Sequence, residues 1–181
     1  PVLFGFFLGF KIAGHVLSLL VLGVVTVIVR KYMVPPARLP APNPPKRLFI
    51  LIGFFFFLIS ALLFLHMLFP WRGSLYAGIS AFGDLPMHLG IASAIAEQQV
   101  IPPQNPFLAG QRLLYPFLVN SLSASLLLLG FSLRLAILIP GIIFAFLLVT
   151  GFVLFAYEVL SCSRRTILAA MLFFFNGGFG F

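Results

Sequence analysis

The chain has 181 residues, of which 62% are hydrophobic, 8% are charged and 24 are phenylalanine, whereas a soluble domain is about a quarter charged. Folding alone could not keep so much apolar surface from water, so a soluble globular domain is excluded and lipid is the expected solvent. The formal charge of +8 sits in short stretches between apolar runs, where Lys and Arg set orientation, and nucleic acid is not an expected partner.

A helix crossing the hydrocarbon core needs about 20 mainly apolar residues. The first candidate covers residues 2–29 and carries Lys11 and His15 one turn apart. It lacks a basic leader segment and a small-residue cleavage site, so it reads as a span and not as a signal peptide. Residues 30–47 follow, with Arg30, Lys31, Arg38, Lys46, Arg47 and six prolines. That composition predicts a short, stiff connection, because proline fixes φ and donates no hydrogen bond.

The second span is expected at 48–69 and is followed by the one long polar-containing loop, 70–112. A third is expected at 113–129, a fourth at 135–160 and a fifth at 166–181. Gly130-Phe131-Ser132 predicts a tight turn between the third and fourth. The expected fold is therefore all-α: a polytopic transmembrane helix bundle of about five spans in a single domain over 1–181. Opening on Pro1 within an apolar run, the chain reads as an internal piece of a longer protein. Cys162 is its one cysteine, which allows no internal disulfide.

The basic cluster at 30–47 predicts that this segment is cytoplasmic. Alternation across five spans then places 70–112 outside, 130–134 inside and 161–165 outside. Arg164 and Arg165 oppose that assignment, since they would lie on the outer face.

Within the long loop, residues 84–98 read DLPMHLGIASAIAEQ. Leu85, Leu89, Ala92 and Ala96 recur at helical spacing, which predicts a short amphipathic helix on the outer membrane surface. Asp84 stands at its start with Pro86 in the first turn, an arrangement that caps helices. Asp84 and His88 also share one face. Together they form a candidate catalytic pair, able to take a proton from a hydroxyl or to contribute two ligands to a divalent metal. The plainer readings are an N-cap for Asp84 and an interfacial imidazole for His88. Arg112 and Tyr115 stand at the mouth of the third span as candidate substrate-binding residues, Arg112 through a fork of donors suited to phosphate. Its plainer reading is an interfacial anchor. Asn120 lies deeper, where a polar amide should face protein or a wet cavity. His15, His66, Ser121, Ser123 and Ser125 read as packing or hydrogen-bonding residues. No Walker loop, GxGxxG, CxxC or HExxH occurs.

Three motifs carry a family likeness: Gly83-Asp84-Leu85-Pro86-Met87-His88, Pro102-Pro103-Gln104-Asn105-Pro106 and Leu114-Tyr115-Pro116. In that order, after an apolar helix, they resemble the N-terminal part of integral-membrane glycosyltransferases of the GT-C superfamily. The terminal Asn176-Gly177-Gly178-Phe179-Gly180-Phe181 resembles stretches in bacterial membrane proteins of that kind. The resemblance implies transfer of a sugar from a polyprenyl-phosphate carrier to an acceptor on the outer face of a bacterial plasma membrane. It implies that Asp84 is the acid/base residue or a metal contact; many members of that superfamily carry a second acid where this chain has Leu85. The alternatives are a transporter or flippase for a lipid-linked or small solute, and a non-catalytic membrane subunit. Ionisable groups deep in the spans would favour transport, and Lys11 and His15 are the candidates.

Overall fold

The computed structural model describes residues 2–32, 43–78, 81 and 83–175. The chain is predominantly α-helical and is an integral membrane protein. Three of its helices are long and apolar enough to cross a bilayer: α2 (Ile12–Tyr32), α3 (Lys46–His66) and α6 (Leu133–Leu160). The remaining elements are α1 (Val2–Leu8), strands β1 (Phe69–Trp71) and β2 (Ser74–Tyr76), α4 (Leu85–Gln98), α5 (Leu118–Leu128) and α7 (Ser163–Phe175). The expectations at Arg38, Pro35–Ala41 and Asn176–Phe181 lie outside the described residues.

The described chain divides into two compact units, one formed by 1–34 and 64–140, the other by 35–63 and 141–181. In the first unit, the expected span 2–29 is two helices. Gly9 takes φ +75°, a left-handed conformation open to glycine. Phe10 turns into the core and donates its N–H to the Gln99 carbonyl at 2.6 Å. The sequence hides this break because every residue from 2 to 10 is apolar or glycine.

After α3, Arg72 and Gly73 both have positive φ and close a two-residue hairpin in which Trp71 faces Ser74. Two left-handed residues match the twist of the flanking strands. α4 occupies the predicted boundaries, 85–98, but it is not merely laid on a surface. Leu85, Ile91, Ala92, Ala94 and Ile95 are buried, and its main neighbour is α5.

The third expected span, 113–129, gives the largest difference from the sequence-based expectation. Arg112 bridges to Gln104 and Leu113 donates to the Pro103 carbonyl, so both belong to the loop. Pro116 bars helix across Tyr115–Pro116, and α5 starts only at Leu118. Its 11 residues span about 16 Å, roughly half the ~30 Å hydrocarbon core. α5 ends as the turn signal predicts. Gly130 takes φ +86°, Gly130 N–H reaches the Leu127 carbonyl and Phe131 N–H reaches Leu126, the paired bonds of a Schellman stop.

In the second unit, α3 and α6 run antiparallel along their length. A Cβ on Gly141 would contact Leu63 at 3.6 Å, and Phe56 packs edge-on against Phe146 at 5.4 Å between centroids. Leu48, Ile52 and Phe55 share one buried cluster with Val149 and Val153. As numbers rise on α3 they fall on α6, so α6 starts at the end where α3 stops. In the first unit, Arg134 makes the same connection. Its Nη2 donates to the Phe64 carbonyl at 3.0 Å while the guanidinium stacks over the Phe64 ring at 4.3 Å. The chain between His66 and Leu133 therefore returns to the level it left, and none of its described helices is long enough to cross and return.

Candidate functional site

α4 and α5 meet along a mostly apolar seam. Phe10, Ile91, Ile95, Ile101, Leu113 and Ala124 form its buried cluster. One polar contact interrupts that seam. His88 Nδ1 lies 3.1 Å from Asn120 Oδ1, across 32 residues of sequence. Asn120 is only 4% exposed, so losing this partner would leave an amide unsatisfied in a medium that offers none. It occupies the first turn of α5 because Pro116 delays the helix start. With an amide oxygen facing Nδ1, that nitrogen is the donor, which leaves the lone pair of Nε2 free to accept a proton or a hydroxyl hydrogen. The Tyr115 ring stands edge-on to the imidazole at 6.1 Å, and its side chain is exposed.

Three of the five sequence-predicted site residues, His88, Tyr115 and Asn120, are thus brought together. Asp84 stands one turn before His88, at the N-cap of α4. Its carboxylate is exposed and makes no side-chain capping bond. The capping role is carried by the backbone alone, whose carbonyl accepts from His88 N–H at 3.1 Å. The acid is therefore not consumed by the helix it begins.

Arg112 sits elsewhere. It lines a cavity of about 430 Å³ formed by the loop after α4, together with Gln104, Gln111, Gly110, Val100 and Ile101. The loop is pinned at its base. Gln104 N–H donates to Gln98 Oε1 at 2.7 Å, and Asn105 N–H donates to the Gln111 carbonyl at 2.8 Å. Asp84, His88 and Tyr115 are not among that cavity's lining residues. Among the described residues, no three His, Cys, Asp or Glu side chains gather as a metal site. Asp84 and His88 alone would leave a divalent ion short of ligands.

A second polar contact ties α2 to α5. His15 Nε2 lies 2.7 Å from Ser125 Oγ, and His15 Nδ1 lies 2.8 Å from the Lys11 carbonyl. Ser125 Oγ is also 2.7 Å from the Ser121 carbonyl. In sequence, His15 and Ser125 each read as isolated polar residues; the 110-residue separation left no signal of the pair.

Compared with known proteins, the chain matches no family model, no curated protein and no solved structure.

Proposed function

We propose that this chain belongs to a membrane glycosyltransferase that moves a sugar from a polyprenyl-phosphate carrier to an acceptor on the outer face of a bacterial plasma membrane. The observation that carries the reading is the His88–Asn120 contact. It holds a histidine with a free ring nitrogen beside Tyr115 and one turn from an uncapped aspartate, in a segment flanked by exposed apolar side chains such as Leu114 and Leu118. An amphiphilic donor needs lipid for its tail beside polar groups for its head. In the proposed division of labour, Asp84 takes the proton of the attacking acceptor hydroxyl. His88, oriented by Asn120, binds or shares that proton, and Tyr115 lines the sugar's approach. Arg112 and its cavity hold phosphate oxygens. The likeness of Gly83–His88 and Leu114–Pro116 to GT-C enzymes supports the same assignment.

The proposal includes a sidedness. With α2, α3 and α6 as the crossings, one face receives Arg30, Lys31, Arg38, Lys46, Arg47, Arg164 and Arg165. The other receives Lys11, Arg72, Arg112 and Arg134. Seven against four is a stronger bias than the six against four of five crossings, which put Arg134 inside and Arg164–Arg165 outside, and Arg164–Arg165 no longer oppose it. The seven-residue face is assigned to the cytoplasm, which puts 67–132 outside.

The test is sugar transfer by the complete protein in lipid, with Asp84→Asn. Removal of a general base lowers turnover by about 10²- to 10⁴-fold; unchanged turnover at normal expression would remove Asp84 from the mechanism. Transport of a lipid-linked or small solute is the second reading, favoured by the His15–Ser125 pair, an ionisable group joined to a neighbouring helix. Solute flux without transfer, lost in His15→Phe, would select it.

A further inference from the structure

In the second unit, α3 and α7 lie side by side and point the same way. The Phe55 ring meets Phe174 at 4.6 Å and Phe175 at 5.5 Å, and Ala170 shares the buried cluster of Leu48 and Ile52. Nine residues before Phe55 is Lys46, and nine before Phe174 is Arg165. At a constant helical rise both basic pairs, Lys46–Arg47 and Arg164–Arg165, come to one level at one end of the unit. All four side chains are exposed, directly beneath buried Leu48, Thr166 and Ala170.

Within this unit acid offsets the cluster only in part: its one Asp or Glu side chain is Glu158, in the last turn of α6 at this same end, against the four cations. Each pair stands in the first turn of its own helix, where the backbone already presents partial positive charge, and only the C-terminal end of α6 beside them carries the opposite sign. Four cations thus gather against a single carboxylate, at the boundary between an apolar helix cluster and water. At the start of α7 the backbone N–H groups of Arg165 and Arg164 hold the Cys162 thiol below its ordinary range, with a smaller contribution from the two side-chain charges.

We propose that these two basic pairs form a binding surface for anionic phospholipid headgroups of the adjoining leaflet. A headgroup phosphate between α3 and α7 would meet guanidinium and ammonium donors while its acyl chains lie along the exposed apolar faces of the same helices. The proposal does not depend on the transferase reading.

The test is native mass spectrometry of the complete protein released from nanodiscs of equal phosphatidylglycerol and phosphatidylcholine. The unchanged protein should retain phosphatidylglycerol in preference. The K46Q/R47Q/R164Q/R165Q variant should lose that preference by about tenfold or more, on the scale of what several juxtamembrane charges contribute. K11Q/R72Q, near the opposite ends of α2 and α3, should keep it. Should the fourfold variant fail to fold, R164Q/R165Q alone should show a partial loss, and the charge-preserving K46R/R47K/R164K/R165K should retain the preference. No preference in the unchanged protein, or an undiminished one in the neutral variants, overturns the proposal.

Discussion

His88 Nδ1 and Asn120 Oδ1 stand 3.1 Å apart where α4 packs on α5, and this contact fixes which ring nitrogen remains available for chemistry. Asn120→Ala should leave the imidazole unoriented at a site that offers little water. A lost buried hydrogen bond costs about 1–3 kcal/mol, so thermal stability in detergent should fall by that amount. Sugar transfer should fall with it, and Asn120→Asp, which keeps an oxygen facing Nδ1, should recover part of both. Equal behaviour of the two variants would deny the contact an orienting role.

Two glycines should respond to alanine differently. A Cβ on Gly5 would lie 2.9 Å from Ile101 Cδ1 and 3.3 Å from Phe10 Cδ2, inside the buried cluster, where overpacking costs about 1–3 kcal/mol. A Cβ on Gly90 would lie 2.6 Å from Phe107 Cζ, the far end of an exposed ring able to swing aside. The helical gain of about 1 kcal/mol for Gly→Ala should offset that displacement. Gly5→Ala is therefore expected to lower the melting temperature while Gly90→Ala leaves it nearly unchanged, as measured by circular dichroism in detergent.

Cys162 supplies a pH prediction. Its thiol is lowered first by the backbone N–H of Arg165, then by that of Arg164, with each side-chain charge contributing less. An acid whose folded pKa is depressed stabilises the fold above its unfolded pKa and loses that contribution as pH falls through the folded value. Alkylation by iodoacetamide should accordingly set in at lower pH in the native protein than in the denatured one. R164Q/R165Q should reverse only part of the difference, because the backbone donors remain. Coincident native and denatured profiles would contradict the assignment.

The sequence declared the membrane class, the long spans α3 and α6 and the boundaries of α4 through composition and apolar run length, which depend on local residues alone. It also supplied His88, Tyr115 and Asn120 as separate candidates. Their meeting was not legible, because it depends on α4 packing against α5 across 32 residues. The Gly9–Phe10 break was masked by uniformly apolar neighbours, and the hairpin at Phe69–Tyr76 is too short to show a period. The shortness of α5 was partly visible. Pro116 lies inside the expected third span, and a proline there argues for a helix that begins after it. The pairing of Arg112 with Gln104, by contrast, needs the loop's own closure.

The antiparallel pairing of α3 with α6 can be tested by cross-linking. Leu63→Cys with Gly141→Cys, in a Cys162→Ser background, should be joined by a short bifunctional thiol cross-linker, since a Cβ at 141 reaches the end of the Leu63 side chain. Phe49→Cys with Gly141→Cys should not, because position 49 lies 14 residues lower on α3, about 21 Å away along the axis. The reverse pattern would place the start of α6 at the opposite end of α3.

The central claim is that His66–Leu133, with every candidate site residue, stays on one side of the membrane. The most direct measurement is labelling of single cysteines in intact cells with an impermeant thiol reagent. Gln98→Cys and Ser132→Cys, each in a Cys162→Ser background, should label alike, while Asn43→Cys in that background and native Cys162 should both be protected until the cells are opened. Labelling of position 98 with protection of position 132 would mean that α5 crosses after all. The chain would then not return to the level at which α3 ends, and the account given for this fold would be contradicted.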